Sequence, residues 1–371
     1  MCLGGHFVEG LSSGTLAAIA GLLGGALLGF AARWGRFCTL GAIEDLTFGG
    51  SSVRLRMWLL AVAFSMLGVH GLDQLGLLSI ADSFYVSNPT SLWANAIGGL
   101  IFGIGMAFVG PCGFGALARL GGGDLKSLVT FLVMGISAYA TLRGLTAYAR
   151  IYVFPPVEQP DTPASFSYLF ANALSANQNI VAFGIAVLLA IIALTKGDLV
   201  KNRKQLITAA LVGAAIVIGW AGSGIFAHDD FDPQPLESFT FTAPLGETLI
   251  YVMTATGSSL NLCIGATIGG IVGAFITTKF QTYFRWEACD DAREMRRQVI
   301  GGFLMGVGGV TALGCTVGQG LSAASVLAYS APVTMAGIFI GAWLGLQWLV
   351  AGMSFTQLFT NKLNFLKSTK G

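Results

Sequence analysis

Charge is scarce in this chain. Lysine, arginine, aspartate and glutamate supply 10% of its 371 residues, against about a quarter in an ordinary soluble domain. That shortage leaves too little polar surface for a water-soluble globule. The formal net charge of +2 marks no charged macromolecule as a partner, and nucleic acid is not expected. Histidine is equally sparse. His6, His70 and His228 stand far apart, with no cysteine or carboxylate at ligand spacing, so neither a metal nor a cofactor is expected. The six cysteines, Cys2, Cys38, Cys112, Cys263, Cys289 and Cys315, include no C-x-x-C pair. The usual mark of a zinc site or a thiol–disulfide enzyme is therefore missing, although folding can still bring two of them together. No lysine or arginine precedes the first apolar run, which excludes the basic start of a signal peptide and leaves the N-terminus as part of the mature chain.

What is abundant is apolar surface and glycine. Hydrophobic residues reach 54%, and 52 residues are glycine, about twice the usual share. Apolar segments at 14–32, 57–79, 92–110, 126–149, 169–195, 206–227, 246–278, 299–313 and 332–352 predict nine crossings of a bilayer. The seventh is interrupted by Gly257-Ser258-Ser259 and counts once. Basic residues fall in alternate loops. Arg33, Arg36, Arg54 and Arg56 follow the first segment, Lys201, Arg203 and Lys204 the fifth, and Arg285, Arg293, Arg296 and Arg297 the seventh. The loops 80–91 and 228–245 carry no Lys or Arg. Positive loops face the cytoplasm, which predicts a multi-pass protein with its N-terminus outside and C-terminus inside. His70 and Asp73 are expected at the outer interface.

An internal repeat lies within this pattern. Gly98, Gly99, Gly103, Gly105, Cys112 and Gly115 return without a gap as Gly301, Gly302, Gly306, Gly308, Cys315 and Gly318. The predicted orientation makes the two copies antiparallel, an arrangement that places transporter sites near the midplane between repeats. The expected division is an N-terminal repeat with an additional helix over 12–150, intervening helices over 168–228 and a C-terminal inverted repeat over 246–352. Most of the G-x-x-x-G pairs pack helices. The segments at Gly110-Pro111-Cys112-Gly113 and Gly314-Cys315-Thr316 are different, because proline and clustered glycine cannot continue a helix. Such backbone is tolerated at membrane depth only inside protein or beside a cavity. Each predicts a re-entrant turn opening into a half-helix, over 113–120 and 316–328, whose N-terminus suits an anion. Phe37-Cys38-Thr39 is a third turn of this kind.

Arg36-Phe37-Cys38-Thr39-Leu40-Gly41-Ala42, Gly110-Pro111-Cys112, Ala138-Tyr139-Ala140-Thr141-Leu142-Arg143-Gly144, Phe284-Arg285-Trp286-Glu287 and Gly314-Cys315-Thr316-Val317-Gly318-Gln319-Gly320 resemble the YeeE/YedE family of bacterial inner-membrane transporters. The resemblance implies an hourglass-like, all-α polytopic fold with re-entrant half-helices and inverted repeats. It implies uptake of thiosulfate and a relay of three thiols, matched here by Cys38, Cys112 and Cys315. The expected inward route runs along Cys112, Cys315 and Cys38. It also implies a TusA-like sulfur-carrier protein as cytoplasmic partner. Thr316, Gln319, Gly113, Arg36 and Arg143 are candidate substrate contacts, while Cys263 and Cys289 are expected to be packing residues. Two other readings accompany this one: a selenium-compound transporter on the same scaffold, and a membrane thiol–disulfide redox protein.

Overall fold

A computed structural model describes residues 12–88, 91–155, 157, 163–195, 198–226, 235–281, 284–288 and 291–350. Cys2 and Cys289 lie outside them. The described chain is helical, without a β-strand among the described residues. In chain order its principal helices are α1 (Ser13–Gly35), α2 (Thr39–Thr47), α3 (Val53–Gln74), α4 (Leu92–Val109), α5 (Gly113–Leu120), α6 (Leu125–Arg143), α7 (Leu145–Val153), α8 (Phe166–Leu174), α9 (Gln178–Leu194), α10 (Arg203–Ala221), α11 (Ala243–Thr254), α12 (Leu262–Gln281) and α13 (Ala292–Thr311). A helical stretch over 316–325, α14, contains the π-turn Gly318–Ala323, and α15 is Ser330–Val350.

Seven described helices are long and apolar enough to cross a membrane, or eight if α8 and α9, bent by 113°, make one span. The chain is a multi-pass membrane protein. That count stops short of the nine crossings expected. The segment behind the difference is α13, a 20-residue helix whose first turns carry Arg293, Glu294, Arg296 and Arg297. The expected crossing over 246–278 is divided between α11 and α12, with the chain non-helical at 258–261.

Small residues set which helices touch, because in lipid little hydrophobic force drives helices together and close backbone approach must do it. A Cβ on Gly98 would strike Gly308 and Ala312, and one on Gly105 would strike Gly301 and Met305. Helices α4 and α13 therefore run antiparallel, each glycine facing the repeat partner of the other. Each then packs in parallel with the helix that follows its counterpart. Gly99 and Gly103 of α4 meet Thr334 and Ile338 of α15, while Gly302 and Gly306 of α13 meet Thr130 and Ser137 of α6. The two copies are interlocked, not merely abutted.

The same pattern recurs beside them. Gly24 and Gly35 of α1 meet Ile218 and Thr208 of α10, so this pair is antiparallel. Gly25 and Gly29 of α1 lie against Ala266 and Gly270 of α12, in parallel; Gly213 of α10 lies beside Phe64 of α3 and Gly68 of α3 beside Val217 of α10, also in parallel. By sequence, 203–221 belongs to neither copy. His70 and Asp73 are not simple interfacial residues. His70 is fully buried with its Nδ1 2.9 Å from Asn179 Oδ1, and Asp73 accepts from Asn179 Nδ2 at 2.9 Å and Gln178 Nε2 at 3.2 Å, joining α3 to α9.

Candidate functional site

Among the described helices that begin inside the protein, four bear on the site. Cys38 caps α2, Cys112 caps α5, Cys315 immediately precedes α14, and Thr242 caps α11. The backbone explains why each chain reversal fits there. Gly110 has φ +97° and Gly314 has φ +152°, values that a side-chain-bearing residue rarely adopts. Gly110 ends α4 and lets Pro111-Cys112 turn into α5. Gly314 does the same ahead of Cys315. Gln319 holds the second turn closed, its amide nitrogen donating to the carbonyls of Ala312 at 3.0 Å and Leu313 at 3.2 Å.

The two cysteine turns meet a third segment, 236–242, that the sequence alone reads as part of an outer loop. It runs into the interior, with Ser238, Phe239 and Phe241 fully buried. The Phe241 N–H donates to Cys315 Sγ at 3.3 Å, and the Gly115 N–H donates to Cys112 Sγ at 3.4 Å. The rings of Phe114 and Phe241 lie 4.8 Å apart, which joins the start of α5 to the segment that holds Cys315. Gly113 has no room for a side chain, since a Cβ there would meet Met134 and the Phe241 carbonyl. Its role is to let these backbones approach.

Two cavities open from opposite sides of these turns. The first, about 810 Å³, holds Cys38 together with Gly110 and Pro111, the residues that lead into Cys112. Five cationic side chains, Arg33, Arg36, Arg54, Arg119 and Lys204, line it against one carboxylate, Glu44. Arg54 pairs with Asp45 at 3.1 Å and the Lys204 ammonium lies 5.5 Å from the centre of the Trp34 ring. The surplus of positive charge attracts anions. The second cavity, about 310 Å³, holds Gly314, which leads into Cys315, with Arg143, Thr242, Glu237 and Glu247. Between them Cys112 and Cys315 are buried, 3% and 0% exposed. Cys112 lies close enough to feel the charge of both Cys38 and Cys315. Cys38 lines the first cavity, and Cys315 follows directly on Gly314 of the second.

The first cavity reaches the turn that carries Cys112 and the second reaches the turn that carries Cys315. Thr316 is fully buried beside the Cys112 thiol and lines neither cavity, whereas the buried hydroxyl of Thr242, on the wall of the second, has no hydrogen-bond partner among the described residues. An unpaired buried hydroxyl costs about 1–3 kcal/mol, so its retention beside a cavity suggests a ligand. Arg36 and Arg143, both named from sequence, occupy opposite cavities. Free thiols are found at Cys38, Cys112, Cys263 and Cys315. Cys263 lies against the 236–242 segment, where its thiol donates to the Glu237 carboxylate at 3.7 Å.

Comparison with known protein families matches the sulphur-transport family over residues 34–344, a stretch that contains these four helix starts and the lining of both cavities except Ala32 and Arg33. The chain belongs to the sulphur-transport family. Its relatives include a protein named thiosulfate transporter TsuA from Escherichia coli (strain K12), 25% identical over 359 residues that cover 90% of this chain and 94% of the relative. Another, also named thiosulfate transporter TsuA, comes from Spirochaeta thermophila and is 27% identical over 338 residues, 89% of this chain and 98% of that one. The family of this chain and the YeeE/YedE resemblance seen in its motifs are the same.

Sequence reasoning missed three features of the site. Arg119 and Lys204 read as ordinary loop charges, and only folding brings them beside Cys38. Thr242 had a faint signal, since Phe241-Thr242 repeats the aromatic-then-cap order of Phe37-Cys38 and Pro244 marks a helix start.

Proposed function

We propose that the chain carries thiosulfate inward across the cytoplasmic membrane, handing it from Cys315 to Cys112 to Cys38. The observation that supports this reading best is the pair of cavities: each reaches a turn that carries a buried thiol, and a third thiol lines the basic one. Thiosulfate has a large, diffuse terminal sulfur that accepts hydrogen bonds weakly. A thiol is a weak donor matched to it, and a succession of weak sites lets an ion enter and leave. The two relatives named as thiosulfate transporters add weight from sequence. The basic cavity faces the cytoplasm by loop charge, so its arginines draw the ion onward, and a TusA-like carrier would collect it at that mouth.

The test is growth on thiosulfate as sole sulfur source in a host lacking its own uptake. Wild-type chain restores growth. Cys112→Ala and Cys315→Ala, present in the membrane at wild-type level, do not. Full growth of both variants would overturn the relay.

A further inference from the structure

Of the four helix starts at the site, three carry a cysteine and the fourth carries Thr242. Its place is not arbitrary. Helices α1 and α10 are antiparallel, with α3 parallel to α10 and α12 parallel to α1. This is the interlocking already seen for α4 and α13 with α6 and α15. The run α10–α11–α12 therefore repeats α1–α2–α3 in the inverted sense. In that correspondence Phe241-Thr242 stands where Phe37-Cys38 stands. Both phenylalanines are buried. Cys38 lines the basic cavity and Thr242 lines the opposite one.

The Thr242 hydroxyl is also unspent. At a helix start a threonine hydroxyl ordinarily accepts from the second or third N–H of the helix. Here Pro244 removes the second, and the side chain makes no capping bond. Thr242 is 1% exposed and its hydroxyl has no partner. Gly309 lets Thr242 pack close to α13, since a Cβ there would lie 2.7 Å from the Thr242 oxygen. The first N–H groups of the twelve-residue α11 add the positive end of a helix, and Arg143 lines the same cavity. Against them stand two carboxylates. Glu247 accepts from Asn261 Nδ2 at 3.0 Å and Glu237 accepts from the Cys263 thiol.

We propose that Thr242, the start of α11 and Arg143 form a fourth anion station, the counterpart of Cys38 at the other end of the path, which holds the oxygen end of a tetrahedral dianion. The proposal rests on the reading of the chain as a thiosulfate carrier. A hydroxyl is a hard donor and pairs with sulfonate oxygens, whereas the thiol of Cys315 meets the soft sulfur. The station therefore accepts sulfate as readily as thiosulfate, and selection falls on the thiols that follow. Glu237 and Glu247 keep the hold weak enough for the ion to move on.

Labelled thiosulfate uptake into proteoliposomes containing the full chain, with and without excess unlabelled sulfate, tests this. Sulfate is expected to inhibit wild-type uptake competitively without being carried. Thr242→Val keeps the shape but loses the hydroxyl, and is expected to raise both KM and the sulfate concentration for half inhibition about tenfold. Thr242→Ser is expected to match wild type. An unchanged KM in a folded Thr242→Val protein, or a Thr242→Ser protein as impaired as the valine variant, overturns the station. Calorimetric titration of the detergent-solubilised protein with sulfate reads the same site without transport. Sulfate binding that Thr242→Val weakens, in a wild-type protein that carries no thiosulfate, would uphold the station and sink the function proposed above. Sulfate binding equal in the two proteins removes the station whatever the transport result.

Discussion

Cys112 and Cys315 are buried between cavities, and the thiol is the one group there with both donor capacity and a soft, polarizable surface. Replacing the sulfur by oxygen keeps a donor but hardens it. Cys315→Ser is therefore expected to retain measurable uptake at a rate at least tenfold below wild type, with Cys315→Ala lower still, as read by labelled thiosulfate in whole cells. Equal rates in the serine and wild-type proteins would show that softness is irrelevant. The positions of these cysteines are legible in the sequence because glycine, proline and cysteine have few substitutes at a turn of this kind. The position of Thr242 is not. A threonine in an uncharged stretch is common, and its distinction is an absent capping bond, which the folded chain alone displays.

The helices owe their contacts to glycine more than to large apolar side chains. In α1, a Cβ on Gly25 would overlap the Ala266 carbonyl oxygen and lie 2.7 Å from the Ala266 Cα, and backbone cannot step aside as a side chain can. Gly25→Ala is expected to cost about 1–3 kcal/mol through forced separation of α1 and α12, seen as a lower thermal midpoint in detergent. Gly184 of α9 meets nothing within 4 Å of a built Cβ. Gly184→Ala is expected to be neutral or to gain about 0.5–1 kcal/mol from helix propensity. If the two variants melt together, the packing account is wrong. At this scale the sequence misleads in one place. Helix α11 is as apolar as a true crossing, so α11 and α12 merge into a single hydrophobic run. Hydropathy measures transfer from water, and it cannot distinguish a helix that starts inside the protein from one that starts at the membrane face.

For the whole molecule the repeat is half legible. The copies that run from α4 into α5 and from α13 into α14 share six residues of types that resist replacement, and that pair stands out in the sequence. The antiparallel pair α1 and α10 shares shape alone, because its glycines sit at unrelated spacings and its cap residues differ. Orientation follows from loop charge and can be checked directly. Ser175 and Asn202 are both exposed, at opposite ends of α9 and the link that follows it. In intact cells, a membrane-impermeant maleimide is expected to label Ser175→Cys, and to reach Asn202→Cys only after permeabilisation. The opposite pattern would invert the path.

The two cavities have an electrical consequence. Where water fills spaces of about 810 and 310 Å³, the membrane voltage falls across the protein that is left between them. A dianion moving inward works against an inside-negative potential. The opposing work is about 4.6 kcal/mol for each 100 mV, at about 2.3 kcal/mol per elementary charge. Balanced by concentration alone, that corresponds to a free internal level roughly 2,000-fold below the external one. Chemistry that consumes the ion as it emerges near Cys38 would hold the internal level down and make uptake self-sustaining. An ion moving alone predicts that collapsing the voltage with a potassium ionophore speeds initial uptake. Slower uptake after the collapse would mean that three or more monovalent cations travel with each dianion.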